Sequence, residues 1–216
     1  MDLNKHIEHT LLKQDAKKSD LIKLFDEAVE NKFFGVCINP CYVSFAKDYL
    51  KNTDVKIVTV IGFPLGANTT DVKVFETKKA ISDGADEIDM VINVTKVKDK
   101  EKDFIINEIS SIKNACAGHN LKVIIETDLL TKEEIVECCN YAISGGADFV
   151  KTSTGFVKNG VGAKAEDVKL MYSTVKDKGL QVKASGGIRD KQAATDMINA
   201  GAERLGTSSG VKIVNG

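Results

Sequence analysis

Gly84-Ala85-Asp86-Glu87-Ile88-Asp89 recurs in altered form at Gly146-Ala147-Asp148-Phe149-Val150-Lys151 and at Gly201-Ala202-Glu203-Arg204-Leu205-Gly206. In each copy a glycine able to end a helix in the left-handed conformation precedes a run suited to a strand. The copies start 62 and 55 residues apart, with one further strand-like run between each pair. Halving those intervals gives about 27 to 31 residues per strand-helix unit, and eight such units fill 216 residues.

Working outward, eight runs read as strands: His9 to Leu12, Val36 to Asn39, Lys56 to Gly62, Glu87 to Asn93, Leu121 to Thr127, Phe149 to Thr152, Gln181 to Ser185 and Arg204 to Gly206. Val55-Lys56-Ile57-Val58-Thr59-Val60-Ile61 carries the β-branched enrichment of a strand. Between the runs lie helical patterns. Leu21, Ile22, Leu24, Phe25, Ala28 and Val29 recur at helical spacing, with Ser19 as the expected N-cap, and Thr131 followed by Glu133 and Glu134 marks another helix start. Strands alternating with helices predict parallel strands joined by right-handed crossovers. Eight of them predict a closed (β/α)8 TIM barrel, read as one catalytic domain over residues 1–216. An open doubly wound sheet is the alternative, weakened because no GxGxxG follows the first strands.

Composition narrows the function classes. The chain is 43% hydrophobic and 28% charged with net charge −1, so nothing pulls it globally toward nucleic acid or an anionic membrane. No apolar run reaches the roughly 18 residues of a membrane helix. Met1-Asp2-Leu3-Asn4-Lys5-His6 does not read as a signal peptide. The odd count of five cysteines suits reduced thiols in the cytosol, and with three histidines the usual zinc-ligand spacings are missing. Of the 30 basic residues only Arg189 and Arg204 are arginine, so an arbitrary lysine reads as solvated surface.

In a barrel the chemistry belongs at the carboxyl ends of the strands, where polar residues inside apolar runs are informative. Lys151 ends one run and leads into Thr152-Ser153-Thr154-Gly155; Lys183 lies on the next, before Ser185-Gly186-Gly187. Each alone reads equally well as a snorkelling lysine. Two on adjacent strands have a chemical use. Ammonium groups about 5 Å apart repel by about 3 kcal/mol at an effective dielectric near 20, a little over two pKa units. Partial burial acts in the same direction, and a neutral amine is a Schiff-base nucleophile. Asp89, between Ile88 and Met90, reads as a barrel ion pair or as a proton shuttle beside the lysines. Because a close carboxylate opposes depression of a lysine pKa, Asp89 is expected nearer Lys183 than Lys151. Three glycine- and hydroxyl-rich loops after the last three strands have the composition of phosphate cradles, the third being Gly206-Thr207-Ser208-Ser209-Gly210. Arg189 adds charge there or lies on the surface. Glu126-Thr127 and Cys37-Ile38-Asn39 fall at the pocket mouth, although Cys37 reads better as a small buried hydrophobe. Cys138-Cys139 lies on a helix, and His9 is structural or functional with equal weight.

Together, His9-Thr10-Leu11-Leu12, Glu87 to Asn93, Lys151-Thr152-Ser153-Thr154-Gly155-Phe156, Lys183-Ala184-Ser185-Gly186-Gly187-Ile188-Arg189 and Gly206 to Gly210 resemble the signatures of the deoxyribose-phosphate aldolase family, in family order along nearly the whole chain. The resemblance implies a class I aldolase that cleaves 2-deoxy-D-ribose 5-phosphate reversibly into D-glyceraldehyde 3-phosphate and acetaldehyde through a Schiff base, without metal or cofactor. Lys151 matches the Schiff-base lysine, Lys183 the lysine that perturbs its pKa, and Asp89 the proton donor and acceptor. Gly155, Gly186, Gly187, Ser208 and Ser209 match the phosphate-holding positions. The resemblance also implies a cytoplasmic homodimer or larger assembly acting in deoxyribonucleoside catabolism, with a phosphosugar as its small-molecule partner. One stretch departs: Lys164 stands where many members have threonine, which is expected to loosen the Val157–Lys164 loop or alter substrate preference. Competing readings are another Schiff-base aldolase or a transaldolase, and a non-catalytic phosphosugar-binding barrel. A metal-dependent aldolase fits poorly with so few histidines.

Overall fold

The computed structural model describes residues 2–216. Its strands are β1 (Ile7–Leu11), β2 (Gly35–Ile38), β3 (Lys56–Ile61), β4 (Glu87–Val91), β5 (Asn120–Ile124), β6 (Phe149–Lys151), β7 (Gln181–Ser185) and β8 (Arg204–Thr207). They pair in sequence order, and β8 returns to β1, closing a barrel. Every neighbouring pair is parallel. The helices are α1 (Lys18–Glu30), α2 (Val43–Leu50), α3 (Thr70–Asp83), α4 (Val94–Lys98), α5 (Lys102–Ala115), α6 (Lys132–Ser144), α7 (Ala165–Val175), α8 (Lys191–Asn199) and α9 (Gly210–Asn215). This is a (β/α)8 TIM barrel, and the three repeat glycines Gly84, Gly146 and Gly201 all take positive φ where a helix hands over to the next strand.

Only β7 has the expected bounds; the other strand ends differ by up to three residues, and one helix cap differs as well. The first strand begins at Ile7 rather than His9, so Glu8 belongs to it. Ser19 lies inside α1; the N-cap is Lys17, whose amide donates to Asp20 at 2.9 Å. Thr131 does cap α6, accepting from the Glu134 amide while Glu134 accepts from the Thr131 amide.

Side chains alternate along each strand, which sorts the core into two parts. Ile57, Ile88, Met90, Val123, Val150 and Val182 face outward and pack with helical residues such as Leu21, Phe25, Ile105 and Ile109. Full burial of each such side chain contributes about 1.5–3 kcal/mol. The opposite parity faces inward. On the β2–β3 side the interior is apolar, with Cys37, Val58 and Val60 packed with Leu12 and Phe63. The rest of the interior, on β1 and β4 to β7, is ionic, holding Glu8, Glu87, Asp89, Lys122, Lys151 and Lys183, all buried.

Candidate active site

Strand register brings the ionic residues together. Lys151 and Lys183 are paired positions on β6 and β7, and Asp89 is paired with Lys122 across β4 and β5. Asp89 Oδ2 lies 2.7 Å from Lys151 Nζ and 2.6 Å from Lys183 Nζ, while Oδ1 lies 3.0 Å from Lys122 Nζ. Asp89 is thus only marginally nearer Lys183, and it contacts both amines where the sequence reading expects it to favour Lys183. With β5 between β4 and β6, its carboxylate reaches across the interior to two neighbouring amines at once. Lys183 also donates to Glu8, and Lys122 Nζ is 2.5 Å from Glu87 Oε2 and 3.5 Å from Glu8 Oε1. Three lysines thus face three carboxylates.

Burial is the largest influence on Asp89 and by itself raises its pKa. The cations of Lys122, Lys151 and Lys183 overcome it and hold the carboxyl well below the usual range. For Lys183 burial works downward, yet Asp89 and Glu8 outweigh it, so the ammonium is held more firmly than in an ordinary lysine. The same balance raises the Lys122 pKa against burial, through Asp89 and Glu8. Gly206, inward-facing on β8, makes room for this arrangement: a Cβ there would lie 2.9 Å from Ser185 Cβ and 3.2 Å from Lys183 Cε.

Above the ionic layer, at the carboxyl ends of the strands, opens a cleft of about 330 Å³. Lys151 lines it; Asp89, Lys122 and Lys183 lie beneath. Gly155, Gly186, Gly187 and Ser208 line it too, together with Arg189. Ser209 does not; it borders a neighbouring cavity with His9, Lys23 and Lys212, and its amide is taken by the Thr207 hydroxyl at 2.9 Å. The hydroxyls of these loops stitch them to one another. Thr152 donates to Ser185 O, Ser185 to Ser153 O and Thr207 to Ile188 O. The amides of Gly155, Gly186, Gly187 and Ser208 donate to no acceptor among the described residues. Gly155, Gly186 and Gly187 all have positive φ, a conformation that glycine adopts without steric cost.

The remaining sequence candidates divide. Cys37 is fully buried in the apolar half of the interior, and burial, the largest influence, raises its thiol pKa. His9 faces the helices, its Nε2 2.8 Å from Glu27 of α1 and its ring edge-on to Phe33. Cys138 and Cys139 are buried in α6. Glu126 lines a smaller cavity beside the cleft, with Leu129, Thr154 and Phe156. Its pKa is raised by burial against the pull of Thr154. Lys164 caps α7 with no side-chain hydrogen bond, but the loop before it is held: Gly162 N donates to Asp128 at 2.8 Å and Ala163 N to Gly186 O at 3.0 Å.

Three members of the ionic cluster, Glu8, Glu87 and Lys122, are not among the candidates the sequence offers; Glu87 stands there only as the first residue of its strand. Glu8 precedes the apolar run His9 to Leu12 that marks the first strand in the sequence. Lys122, between Leu121 and Val123, carried the same signal as Asp89, a charge inside an apolar run, but was masked by the abundance of lysine. Outside the barrel, Lys73 of α3 and Glu108 of α5 form a buried pair at 2.9 Å, with Lys73 also donating to Val91 O at 2.9 Å. No pattern in the sequence marked it.

The comparisons with known proteins agree with this architecture. A family model described as DeoC/LacD family aldolase matches residues 4–216. The deoxyribose-phosphate aldolase of Finegoldia magna is 55% identical over 216 residues, covering all of both chains. That of Thermococcus kodakarensis is 54% identical over 219 residues, covering all of this chain and 96% of the other. Among solved structures, the tetrameric deoxyribose phosphate aldolase of Aeropyrum pernix superposes with a TM-score of 0.91 at 34% identity, over 99% of this chain and 89% of that one. With a barrel closed in sequence order, buried lysines beneath an open cleft and a family match along nearly its whole length, the chain belongs to the DeoC/LacD family of aldolases.

Proposed function

We propose that the protein is a class I aldolase that cleaves 2-deoxy-D-ribose 5-phosphate reversibly to D-glyceraldehyde 3-phosphate and acetaldehyde. The observation that carries this reading is the position of Lys151. Of the three buried barrel lysines it alone lines the cleft, beside four unpaired amides suited to a phosphate. The names of the full-length relatives support the same substrate.

In this reading Lys151 passes a proton to Asp89 and its amine adds to the C1 aldehyde of the open-chain sugar. The carbinolamine loses water to give a protonated imine. A base removes the C3 hydroxyl proton and the C2–C3 bond breaks. C3 leaves as the aldehyde of glyceraldehyde 3-phosphate while the electron pair becomes an enamine on C2. Protonation of C2 and hydrolysis release acetaldehyde and restore Lys151. Asp89, 2.7 Å from Lys151, is within proton-transfer distance, and Lys183 supplies a fixed positive charge beside it. Gly155, Gly186, Gly187 and Ser208 hold the phosphate, with Arg189 adding charge. Ser209 contributes through the turn it shares with Ser208.

The enzyme acts in the cytoplasm in breakdown of deoxyribose phosphates. No helix among the described residues is long and apolar enough to cross a membrane, and all five cysteines are free. It works as a homo-oligomer: Leu65 and Phe75, 77% and 72% exposed near the start of α3, offer apolar surface for a second copy, and sedimentation velocity would measure the mass.

The test is borohydride reduction in the presence of deoxyribose 5-phosphate, followed by peptide mass spectrometry. A two-carbon adduct on Lys151, absent from Lys151→Ala, is expected. An adduct on Lys183 would exchange the roles of the two lysines. No adduct on either, with folded protein and bound substrate, would overturn the aldolase mechanism in favour of a phosphosugar-binding barrel.

A further inference from the structure

Glu126 follows β5 with φ +61°, a left-handed conformation at a non-glycine residue. Such residues persist where the surroundings impose the conformation, and they cluster at functional sites. Its side chain is buried, 4% exposed, and among the described residues no cation lies within ion-pair distance of it. Instead it accepts three hydrogen bonds from Thr154. The Thr154 amide donates to Oε1 at 3.1 Å and to Oε2 at 3.3 Å, and the Thr154 hydroxyl donates to Oε2. With its hydrogen committed to Glu126, the Thr154 hydroxyl accepts from the Phe156 amide at 3.1 Å. The two amides flanking Gly155 are thus tied through Thr154 to one carboxylate, while the Gly155 amide itself is left without an acceptor. Two residues along, Asp128 Oδ2 accepts from Gly162 N at 2.8 Å. One short turn after β5 therefore grips both ends of the arch formed by residues 155–161. Neither Glu126 nor Asp128 lines the main cleft.

We propose that Glu126 is a positioning residue for the anion cradle: through Thr154 it sets the direction of the Gly155 amide, and with Asp128 it holds the arch so that the enzyme prefers phosphorylated over non-phosphorylated sugars. The inference rests on the aldolase reading and its phosphate cradle. A carboxylate suits the task because it is acceptor-only and meets donors from both the amide and the hydroxyl of Thr154. A carboxamide would aim N–H groups at one of them.

The experiment compares kcat/KM for 2-deoxyribose 5-phosphate and for 2-deoxyribose in the wild type, Glu126→Gln, Thr154→Val and the double variant, with melting temperatures alongside. In Glu126→Gln the ratio of the two specificities falls at least tenfold, about 1.4 kcal/mol, chiefly through KM for the phosphorylated sugar. Thr154→Val removes the hydroxyl part of the same connection and leaves the amide bonds, so the double variant loses less than the sum of the two single losses. Should Glu126→Gln fail to fold, Thr154→Val alone must still lower the ratio. Equal loss on both sugars, an unchanged ratio, or additive effects would overturn the clamp. A wild type that forms the Lys151 adduct and prefers the phosphorylated sugar, combined with any of those results, overturns the clamp alone. A wild type with no such adduct and no such preference overturns the underlying reading as well.

Discussion

Lys151 and Lys183 are register partners on neighbouring strands, and both ammonium groups meet a single oxygen, Asp89 Oδ2, at 2.7 and 2.6 Å. The shared oxygen changes how the lysine pair is to be understood. Two adjacent ammonium groups repel, but a carboxylate between them offsets that repulsion, and Glu8 adds a second anion on Lys183. In the proposed mechanism the proton that leaves Lys151 has its acceptor already in contact, while the charge of Lys183 stays in place.

Asp89→Asn should disable the enzyme and weaken the fold together. Turnover falls about 10²- to 10⁴-fold with loss of the proton carrier. Removing one partner of a buried ionic group costs about 3–5 kcal/mol. Because the folded-state pKa of Asp89 is depressed, its contribution is present above the unfolded carboxylate pKa of about 3.9 and is lost as pH falls through the folded value. Urea unfolding across acidic pH checks this: the variant shows a shallower loss of stability below about pH 4 than the wild type.

Lys122 is one of the three cations that hold the Asp89 pKa down. In Lys122→Met the Asp89 pKa rises, since removing a cation favours the neutral acid. The acid limb of the pH–rate profile should move to higher pH, with the borohydride adduct still on Lys151. An acid limb in its wild-type position would show that Asp89 does not govern it.

The Lys73–Glu108 pair predicts a different pattern. Burial lowers the Lys73 pKa and raises that of Glu108, so each depends on the other for its charge. Lys73→Met or Glu108→Leu alone should cost about 3–5 kcal/mol, whereas the double variant recovers most of that loss. Denaturant midpoints of the four proteins close the cycle, and additive losses would refute the coupling.

Lys164 opens α7 without a side-chain cap. Lys164→Thr supplies a hydroxyl for the free amides of the first turn and should stabilise by about 1 kcal/mol, read as a raised melting temperature. Retention of the wild-type value would refute the added cap.

The sequence by itself determined the layering and the count of units. Glycine-ended helices and apolar runs at regular intervals are local signals, and eight parallel units of this size close on themselves. It also singled out Asp89, Lys151 and Lys183, because a charge inside an apolar strand is improbable without a partner. The partners came only with the tertiary structure. Whether Asp89 meets Lys151, Lys183 or both depends on how far strands turn as the barrel closes, a relation between residues 62 and 94 positions apart. Glu8 lies 175 positions from Lys183 and meets it through that same closure. The Glu126–Thr154 connection, the Lys73–Glu108 pair and the placing of Ser209 behind the cleft likewise depend on which loops and helices become neighbours. Local propensity cannot encode such contacts, because their energy appears only once the chain has excluded water from between them.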